Sequence, residues 1–362
     1  MNAPQKDIDD VLLDCRSVWK IFGAGGPAAI RAIAERGLGK REVLQEFKCI
    51  VGVSDATLQI RRGEIFCIMG LSGSGKSTLI RMLNRLIEPT SGKIIVKGQD
   101  LSALGPAELR QLRARDIAMV FQSVALLPHR TVLENAAFGL EVQGIPKAER
   151  NRLAEASLAK VGLADWTQRY PSELSGGMQQ RVGLARALTS DPEIILMDEP
   201  FSALDPLIRR QLQDEFRQLT KSLGKSAVFI THDLDEAIRI GDRIAIMKDG
   251  AIIQVGTAEE IILNPADAYV AEFVAGISRL HLIKAHSVMV SVESYRADNP
   301  QGVVENLVQT GPETDIDALI DLTLQTRGAG IAVVEDGRIL GIVTPASLLL
   351  GVKGSQNASV AH

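Results

Sequence analysis

Glycines and serines precede a lysine between Gly70 and Ser77, in the stretch GLSGSGKS. The stretch fits the pattern G-x-x-x-x-G-K-[S/T], with an apolar run before it and the helix-forming run STLIRMLNRL from Ser77 onward. Glycines let successive backbone N–H groups turn inward, where they bind phosphate oxygens together with the N-terminus of the next helix. We therefore predict a nucleotide phosphate site, with Lys76 on the β- and γ-phosphates and the Ser77 hydroxyl on Mg²⁺. The residues predicted to bind the nucleotide here are Gly70, Ser72, Gly73, Ser74, Gly75, Lys76, Ser77 and Thr78.

Two carboxylates, Asp198 and Glu199, follow the apolar run IILM at 194–197. If this run is a strand beside the phosphate loop, Asp198 can hold Mg²⁺ through its water shell, and Glu199 can polarise the attacking water. Adjacent carboxylates at a buried strand end need neutralisation, which Mg²⁺ and Lys76 supply. The combination predicts an enzyme that hydrolyses ATP.

The stretch LSGGMQQR at 174–181 comes directly before the helix-forming run VGLARAL. Ser175 and the amides of Gly176 and Gly177 are predicted to lie at the start of that helix, where N–H groups and the helix dipole bind anions. This is a second phosphate-binding surface, about 100 residues from the first. Two such surfaces in one chain require an explanation.

With these motifs, the chain resembles the nucleotide-binding subunit of an ATP-binding cassette (ABC) transporter over residues 11–277. The resemblance implies ATP and Mg²⁺ as ligands. It also implies a homodimer in which the signature segment of each subunit closes over ATP held by the other. Ser175, Gly176, Gly177 and Gln179 are the residues expected to contact the partner's ATP.

The resemblance implies roles for further single residues. Gln122 in MVFQS resembles the loop glutamine that contacts Mg²⁺ or water and links the core to a helical subdomain. Asp205 in SALD resembles the residue of the loop between the two active sites of the dimer. His232 in FITHD resembles the switch histidine that contacts the γ-phosphate and helps to orient Glu199 and water. Gln122 and His232 thus join Lys76 and Glu199 as predicted catalytic residues. The predicted Mg²⁺ ligands are Ser77, Gln122 and Asp198.

An aromatic residue near the N-terminus is expected to stack on adenine. Phe22, in WKIFG, resembles the aromatic residue that does so in the family, and Trp19 in the same stretch is the competing choice. The sequence leaves the two alternatives open.

Segments with strand-like and helix-like patterns alternate along the chain. Short apolar runs are separated by amphipathic segments of helical length, which predicts an α/β core with a largely parallel sheet, as in P-loop ATPases. Residues 131–188 have mostly helical periodicity, so we predict an inserted helical subdomain at about 123–190. A second insertion, at about 24–50, contains helix formers and predicts one or two short helices between strands at 11–16 and 53–60. The other predicted strands are 65–69, 117–121, 194–197, 227–231 and 243–248.

The character of the sequence changes near residue 278, so the predicted domains are 1–278 and 279–362. The stretch VESYRADNPQG at 292–302 shows no core periodicity. Beyond it, Thr314 or Asp315 can cap a helix that Gly328 ends. A β-hairpin at 331–344 then turns at Asp336-Gly337, and Thr344-Pro345 can begin a last helix.

This order of helix, strand, strand and helix makes a small α+β unit that resembles one cystathionine β-synthase-type (CBS) repeat. Such repeats act in pairs, and the resemblance implies that a pair forms between two subunits. Nucleotide-binding members carry T-x-x-D after the last strand, whereas this chain has Ser347 in place of the ribose-binding aspartate. The sequence therefore leaves open a regulatory module that senses ionic strength and a dimerisation or stability appendage.

The insertion at about 24–50 and the residues around the motifs resemble those of the ATP-binding subunits that serve importers of glycine betaine, proline betaine or choline. The corresponding subunits of histidine importers are very similar. The resemblance implies separate membrane permease subunits and, indirectly, a solute-binding protein. The chain is then expected on the cytoplasmic side of the bacterial inner membrane as a peripheral subunit. Residues 123–145 are expected to form the groove for a short permease helix. A soluble cassette ATPase acting on DNA or ribosomes, and an exporter subunit, are the less favoured alternatives.

Composition narrows the function classes further. The chain has 40 basic and 44 acidic residues, so no global field attracts nucleic acid, and no nucleic-acid partner is expected. Its cysteines are odd in number, and Cys67 lies within an apolar run, which indicates reduced, buried thiols. The first residues do not have the pattern of a signal peptide, and no apolar run of about 18 residues predicts a membrane span.

Overall fold

The computed structural model describes residues 10–278, 280, 282–299, 304–326 and 328–353. The chain divides into two compact units between Val255 and Gly256. This division assigns the helices at 258–274 to the second unit, whereas the domain boundary predicted near residue 278 stays a prediction.

The first unit contains two sheets and nine α-helices among its described residues. The strands are β1 (Val11–Phe22), β2 (Ile50–Arg61), β3 (Ile65–Met69), β4 (Ser91–Val96), β5 (Gln99–Asp100), β6 (Ile117–Val120), β7 (Ile194–Asp198), β8 (Ser226–Thr231), β9 (Arg243–Lys248) and β10 (Ala251–Gly256). The helices are α1 (Gly26–Arg36), α2 (Lys40–Phe47), α3 (Lys76–Leu83), α4 (Pro106–Arg115), α5 (Val132–Val142), α6 (Lys147–Lys160), α7 (Gly176–Leu188), α8 (Pro206–Ser222) and α9 (Leu234–Ile240).

The larger sheet has six strands in the order β10-β9-β3-β8-β7-β6. Strand β3 pairs in parallel with β8 and β9, and β7 pairs in parallel with β6 and β8. Every residue of β3, β7 and β8 is buried, because helices cover both faces of a parallel sheet and its strands are continuous apolar runs. The predicted α/β core with a largely parallel sheet is confirmed.

The second sheet, of order β2-β1-β4-β5, is antiparallel. Buried residues alternate along β2, so one face of this sheet packs on the core. The same core cluster includes Leu79 and Ile80 of α3 and apolar residues of the parallel sheet. Strand β1 is longer than the predicted 11–16, because an irregularity with Ser17 at φ 48° interrupts the alternation there while pairing continues to Phe22.

Two helical insertions connect strands of the sheets. Helices α1 and α2 lie between β1 and β2 and share a small core of Ile21, Ala29, Val43, Cys49 and Val51. Helices α5, α6 and α7 lie between β6 and β7, within the segment predicted to be helical. The cysteines Cys15, Cys49 and Cys67 are all free and buried.

The second unit contains a sheet of order β11-β12-β13 among its described residues. Its strands are β11 (Val308–Thr310), β12 (Ile331–Glu335) and β13 (Arg338–Val343). Its helices are α10 (Ala258–Leu263), α11 (Ala268–Val274), α12 (Ala285–Val288), α13 (Val292–Asp298), α14 (Ile316–Gln325) and α15 (Pro345–Lys353). Strand β11 is parallel to β12, and β12 is antiparallel to β13.

The hairpin and both flanking helices of this unit are confirmed. Asp336 and Gly337 have φ values of 49° and 75°, as a two-residue type I′ turn requires. Asp315, rather than Thr314, caps α14, since its side chain accepts from the N–H of Ala318 at 3.0 Å. Thr344 caps the start of α15, accepting at 3.1 Å from the N–H of Ser347.

One helix of this unit was not predicted from the sequence. Residues 292–298, which show no core periodicity, form α13, and Ser291 caps it by accepting from the N–H of Ser294 at 3.1 Å. The helix buries Tyr295, a single large side chain that periodicity cannot detect in so short a segment. Residues 300–302 of that stretch lie outside the described residues.

Within the described part of the chain, no helix combines the length and the apolar character that a membrane span needs.

Candidate functional site

Four neighbouring strands of the parallel sheet end at the predicted site. The phosphate loop follows β3, and His232 follows the adjacent strand β8. Asp198 ends the next strand, β7, with Glu199 directly after it, and Gln122 lies just beyond β6. Parallel strands place their carboxyl ends at one edge of a sheet, where ligands bind in open α/β folds. The sheet therefore assembles at one edge residues that are far apart in the sequence.

The loop from Gly70 to Gly75 has the shape of an anion cradle. Gly70, Gly73 and Gly75 have φ values of 152°, 79° and 104°, which side-chain-bearing residues rarely adopt. The hydroxyl of Ser74 is buried and has no hydrogen-bond partner in the described protein. Helix α3 begins directly after the loop, so its free N–H groups lie beside it. The loop thus fits a phosphate chain.

Lys76 is held close to this loop. Its Nζ donates to the carbonyls of Gly70 at 2.8 Å and Leu71 at 3.1 Å. Burial lowers the pKa of Lys76, and the charges of Glu199 and Asp198 oppose that shift. The ammonium group therefore lies within the field of both predicted carboxylates.

Asp198 and Ser77 provide hard oxygen ligands. The Ser77 hydroxyl donates to Asp198 Oδ1 at 2.8 Å, and Arg81 Nη2 donates to Asp198 Oδ2 at 3.0 Å. Oxygen donors suit Mg²⁺, which takes one or two protein ligands together with phosphate oxygens and water. The described residues contain no cluster of three or more acidic, histidine or cysteine side chains that would hold a metal alone. Sequence reasoning missed Arg81, although its i+4 spacing from Ser77 places both on one face of α3.

Glu199 and His232 form a pair across two adjacent strands. The imidazole Nδ1 of His232 lies 3.2 Å from Glu199 Oε2. Glu199 has a φ of 47°, and its N–H donates to the carbonyl of Ile230 at 3.2 Å. A positive φ outside glycine is uncommon and turns the chain sharply after β7. The arrangement can hold and orient a water molecule for proton abstraction.

Gln122 reaches the same group of residues through Ser202. Its Nε2 donates to Ser202 Oγ at 3.3 Å, and that hydroxyl donates to the carbonyl of Glu199 at 3.0 Å. Sequence reasoning missed Ser202, because no local pattern shows which side chain faces Gln122.

The signature segment lies at the start of α7. Ser175 and Gly176 are exposed, and Ser175 Oγ accepts from the N–H of Met178 at 3.4 Å. Gln179 donates to the carbonyls of Pro171 at 3.0 Å and Leu174 at 3.3 Å, so its amide supports its own loop. Among the described residues, no hydrogen bond joins this segment to the phosphate loop of the same chain. The second anion surface is therefore available to another molecule.

Gly177 of this surface and the predicted dimer residue Asp205 both lie at α8. Gly177 packs tightly, since a Cβ there would lie 2.9 Å from Ile208 Cγ2. Asp205 caps α8 by accepting from the N–H of Leu207 at 3.0 Å. The loop at Asp205 and the signature segment thus lie against the same helix.

The two aromatic candidates differ in their surroundings. The side chain of Phe22 is 39% exposed, whereas Trp19 packs against the small core of α1 and α2. Lys20 Nζ lies 5.1 Å from the centroid of the Phe22 ring. Phe22 is the aromatic side chain with a surface available for stacking.

A phosphate cradle, a carboxylate pair and a histidine on adjacent parallel strands, with a helical insertion that carries a second anion surface, define an ABC-type ATPase. Residues 53–202 match the family described as ABC transporter. A dimeric structure of the ATP-binding cassette MJ0796, bound to ADP and Pi in a post-hydrolysis state, is 31% identical with a TM-score of 0.56 and covers 68% of this chain and 98% of its own.

More specific relatives match both units. The glycine betaine transport ATP-binding protein OpuAA of Bacillus subtilis is 48% identical, over 92% of this chain and 78% of that protein. The glycine betaine/proline betaine transport system ATP-binding protein ProV of Salmonella typhimurium is 46% identical, over 97% of this chain and 85% of its own length. The choline transport ATP-binding protein OpuBA of Bacillus subtilis is 42% identical, over 80% of this chain and 72% of that protein. The chain belongs to the family of ATP-binding subunits of glycine betaine, proline betaine and choline ABC transporters.

Proposed function

We propose that this chain hydrolyses ATP to power the import of a quaternary amine such as glycine betaine, proline betaine or choline through separate membrane subunits. The observation that carries the proposal is that betaine-transport relatives match the second unit as well as the ATPase unit. An importer of an amino acid such as histidine, or a cassette ATPase without a transporter, is not favoured.

The strand-end residues divide the work of hydrolysis. The phosphate loop and Lys76 bind the phosphates, and Ser77, Gln122 and Asp198 would hold Mg²⁺. The metal ion neutralises phosphate charge when it is bound. Glu199 accepts a proton from the attacking water, and His232 holds that carboxylate in place through their 3.2 Å contact. Phe22 stacks on adenine.

The exposed signature segment supports a dimer of two such chains. Its Ser175, Gly176 and Gly177 bind the phosphates of ATP held by the other copy. ATP then has two protein surfaces to bridge, and it favours the closed dimer because only that state completes both. Closure of the dimer drives the membrane subunits to alternate access. Hydrolysis then removes the bridge and reopens the dimer.

A cleft of about 340 Å³ supports docking of a membrane subunit on the cytoplasmic side. It lies between α4, β6, α5 and α7. Arg113 donates to the carbonyls of Asn84 and Arg85, and Arg186 to those of Val124 and Ala125. The residues that line the cleft include Arg110, Arg113, Ala118, Met119, Val142 and Arg186.

The charge and exposure of this cleft indicate its partner. Burial lowers the pKa of Arg113 and of Arg186, but both side chains stay cationic because arginine is not deprotonated in proteins. Two cations beside the cleft favour an acidic residue on the partner. Val142 is 73% exposed and offers an apolar contact. A short permease helix with one acidic and several apolar residues fits, and the cleft extends the groove predicted at 123–145 onto α4 and α7.

Residues 279–362 are proposed as a CBS-like domain, with a single repeat at about 280–352, that regulates the cycle or strengthens the dimer. Ser347 Oγ accepts from the N–H of Thr344 at 3.0 Å and donates to its carbonyl at 3.1 Å. That hydroxyl is therefore used locally, which argues against a ribose ligand at this position. Deletion of residues 279–362 separates the two roles. Unchanged transport with an unchanged response to salt contradicts regulation.

Transport in reconstituted vesicles tests the main proposal. The chain is purified with its membrane and receptor partners, and uptake of labelled glycine betaine, choline and histidine is measured with ATP inside. Glu199→Gln should slow hydrolysis by about 100-fold or more and stop uptake. The exposed Glu155→Gln is the matched control and should leave both rates unchanged. Parental hydrolysis by Glu199→Gln contradicts the assignment of the base, and uptake of histidine alone contradicts the substrate class.

A further inference from the structure

Gly52 lies between the predicted adenine platform and the phosphate loop. It belongs to β2, where Lys20 pairs with Val53 and Ile21 pairs with Val51, so Gly52 is the extra residue of a β-bulge. A glycine inside a strand marks a bulge or a close approach of another group. The sequence contains this signal, but the predicted strand at 53–60 began one residue after it.

On one side, Gly52 touches the ring of Phe22. A Cβ at position 52 would lie 2.7 Å from Phe22 Cε2 and 3.3 Å from Cδ2. Lys20 Nζ, which donates to the carbonyl of Glu88 at 2.7 Å, lies over the same ring. The Phe22 ring is thus held against backbone and beneath an anchored cation, and the rest of its surface stays exposed.

On the other side, the carbonyl of Gly52 touches the phosphate loop. A Cβ at Gly75 would lie 2.4 Å from that oxygen, and a Cβ at Gly250 would lie 3.0 Å from it. The N–H of Gly250 donates to the carbonyl of Ser74 at 2.8 Å, and its own carbonyl accepts from the N–H of Ser54 at 2.8 Å. The loop is therefore supported by backbone on the same strand that supports Phe22.

We infer that Gly52 is a positioning residue that fixes the Phe22 ring relative to the phosphate loop, and so sets the fit of the base and phosphates of one nucleotide. The inference rests on the proposed stacking of Phe22 on adenine. Because Gly52 has no side chain, the ring lies directly on the backbone that abuts Gly75. Any side chain at position 52 moves the ring away while the loop stays.

The substitution Gly52→Ala tests this because its steric conflict is selective. The φ of Gly52 lies outside the left-handed region, and the atoms closest to an added Cβ belong to the end of an exposed side chain. The ring therefore moves in preference to the backbone, and the variant is expected to fold. Lys20→Met is a second variant. It removes the cation above the Phe22 ring but keeps a side chain of similar length, and it should also raise the KM for ATP.

The experiment uses the full chain and separates base binding from phosphate binding. ATPase kinetics give KM and kcat, and competition by inorganic tripolyphosphate reports on the phosphate loop alone. Gly52→Ala should raise the KM for ATP about 3- to 10-fold, with kcat and tripolyphosphate competition unchanged. In a Phe22→Ala background it should have no further effect. Gly311→Ala, where an added Cβ meets nothing within 4 Å, is the control.

Each other outcome overturns a defined statement. If Phe22→Ala raises KM but Gly52→Ala and Lys20→Met do not, Phe22 stacks on the base and Gly52 does not position it. If Gly52→Ala raises the KM for ATP equally in the parent and in the Phe22→Ala background, its role is structural and the inference fails. The inference also fails if Gly52→Ala weakens the binding of tripolyphosphate as much as the binding of ATP. If Phe22→Ala itself leaves KM unchanged, the proposed stacking fails, and the inference fails with it.

Discussion

The imidazole Nδ1 of His232 lies 3.2 Å from the Glu199 carboxylate although 33 residues separate them. The contact exists because β8 and β7 are adjacent and parallel and end at the same edge of the sheet. The side chain of Glu199 is 19% exposed and that of His232 is 57% exposed, so the pair faces the open side of the site. The histidine can therefore contact a ligand and the carboxylate together.

Replacement of this histidine should impair the chemical step. We expect His232→Ala to lower kcat for ATP hydrolysis by about 100-fold, because the Glu199 carboxylate loses the group that orients it. Binding of ATP, measured by equilibrium dialysis, should change by less than about threefold. His286→Ala, in the second unit, is the control histidine. A kcat close to the parental value would show that Glu199 needs no such partner.

The pairing of Arg81 with Asp198 should contribute to stability. The Asp198 side chain is 5% exposed. In Arg81→Met, the remaining side-chain partner of Asp198 among the described residues is Ser77. Because Arg81 is partly exposed, we expect a loss of about 1 kcal/mol in the free energy of unfolding, measured with urea. The loss should vanish in an Asp198→Asn background, whereas equal losses in both backgrounds would contradict the pairing. The exposed Arg152→Met serves as the control.

Glu236 should make the stability of the first unit depend on pH. Its carboxylate is buried and accepts from Gln213 Nε2 at 2.8 Å, and burial raises its pKa above the ordinary 4.5. The folded chain then holds this proton more tightly than the unfolded chain. The stabilisation is complete below the unfolded-state pKa and is lost as pH rises through the folded-state pKa.

The variant Glu236→Gln keeps a carbonyl oxygen for Gln213 and cannot ionise. Its free energy of unfolding relative to the parent should therefore increase as the pH rises above 4.5, as urea denaturation at several pH values can measure. The exposed Glu155→Gln should show no such trend. A difference independent of pH would mean that the carboxylate is not titrating in this range.

The hairpin turn of the second unit should depend on glycine at position 337. With a φ of 75° and nothing within 4 Å of an added Cβ, Gly337→Ala tests backbone strain without a steric clash. We expect a cost of about 1 kcal/mol, seen as faster hydrogen exchange of the amides of β12 and β13. Gly311→Ala, equally open but without a positive φ, should leave that exchange unchanged. Equal protection in both variants would contradict the type I′ turn.

Much of the parallel sheet could be predicted from local sequence. The strands at 65–69 and 243–248 have their predicted bounds, because each is a continuous run of mostly buried residues. The hairpin at Asp336-Gly337 was equally predictable, since few residue pairs adopt two successive positive φ values. Such features depend on neighbours along the chain.

Features that depend on distant parts of the chain were not predictable in the same way. Ser202 and Gly52 acquire their roles from Gln122, Phe22 and Gly75, which only the fold brings to them. Strand β11 has three residues and exists because β12 pairs with it. Motifs identify the residues proposed to bind the nucleotide, whereas the residues that support them follow from packing.

Strand β6 is an edge strand of the six-stranded sheet, and it joins the proposed docking cleft to the candidate nucleotide site. Ala118 and Met119 line the cleft proposed for the membrane subunit, and Gln122 follows the same strand. At about 3.3 Å per residue, Met119 and Gln122 are separated by roughly 10 Å of chain. The proposed docking cleft and Gln122 are thus joined by one short peptide segment that passes through the buried Val120, so a displacement of β6 at the cleft would be felt directly at Gln122.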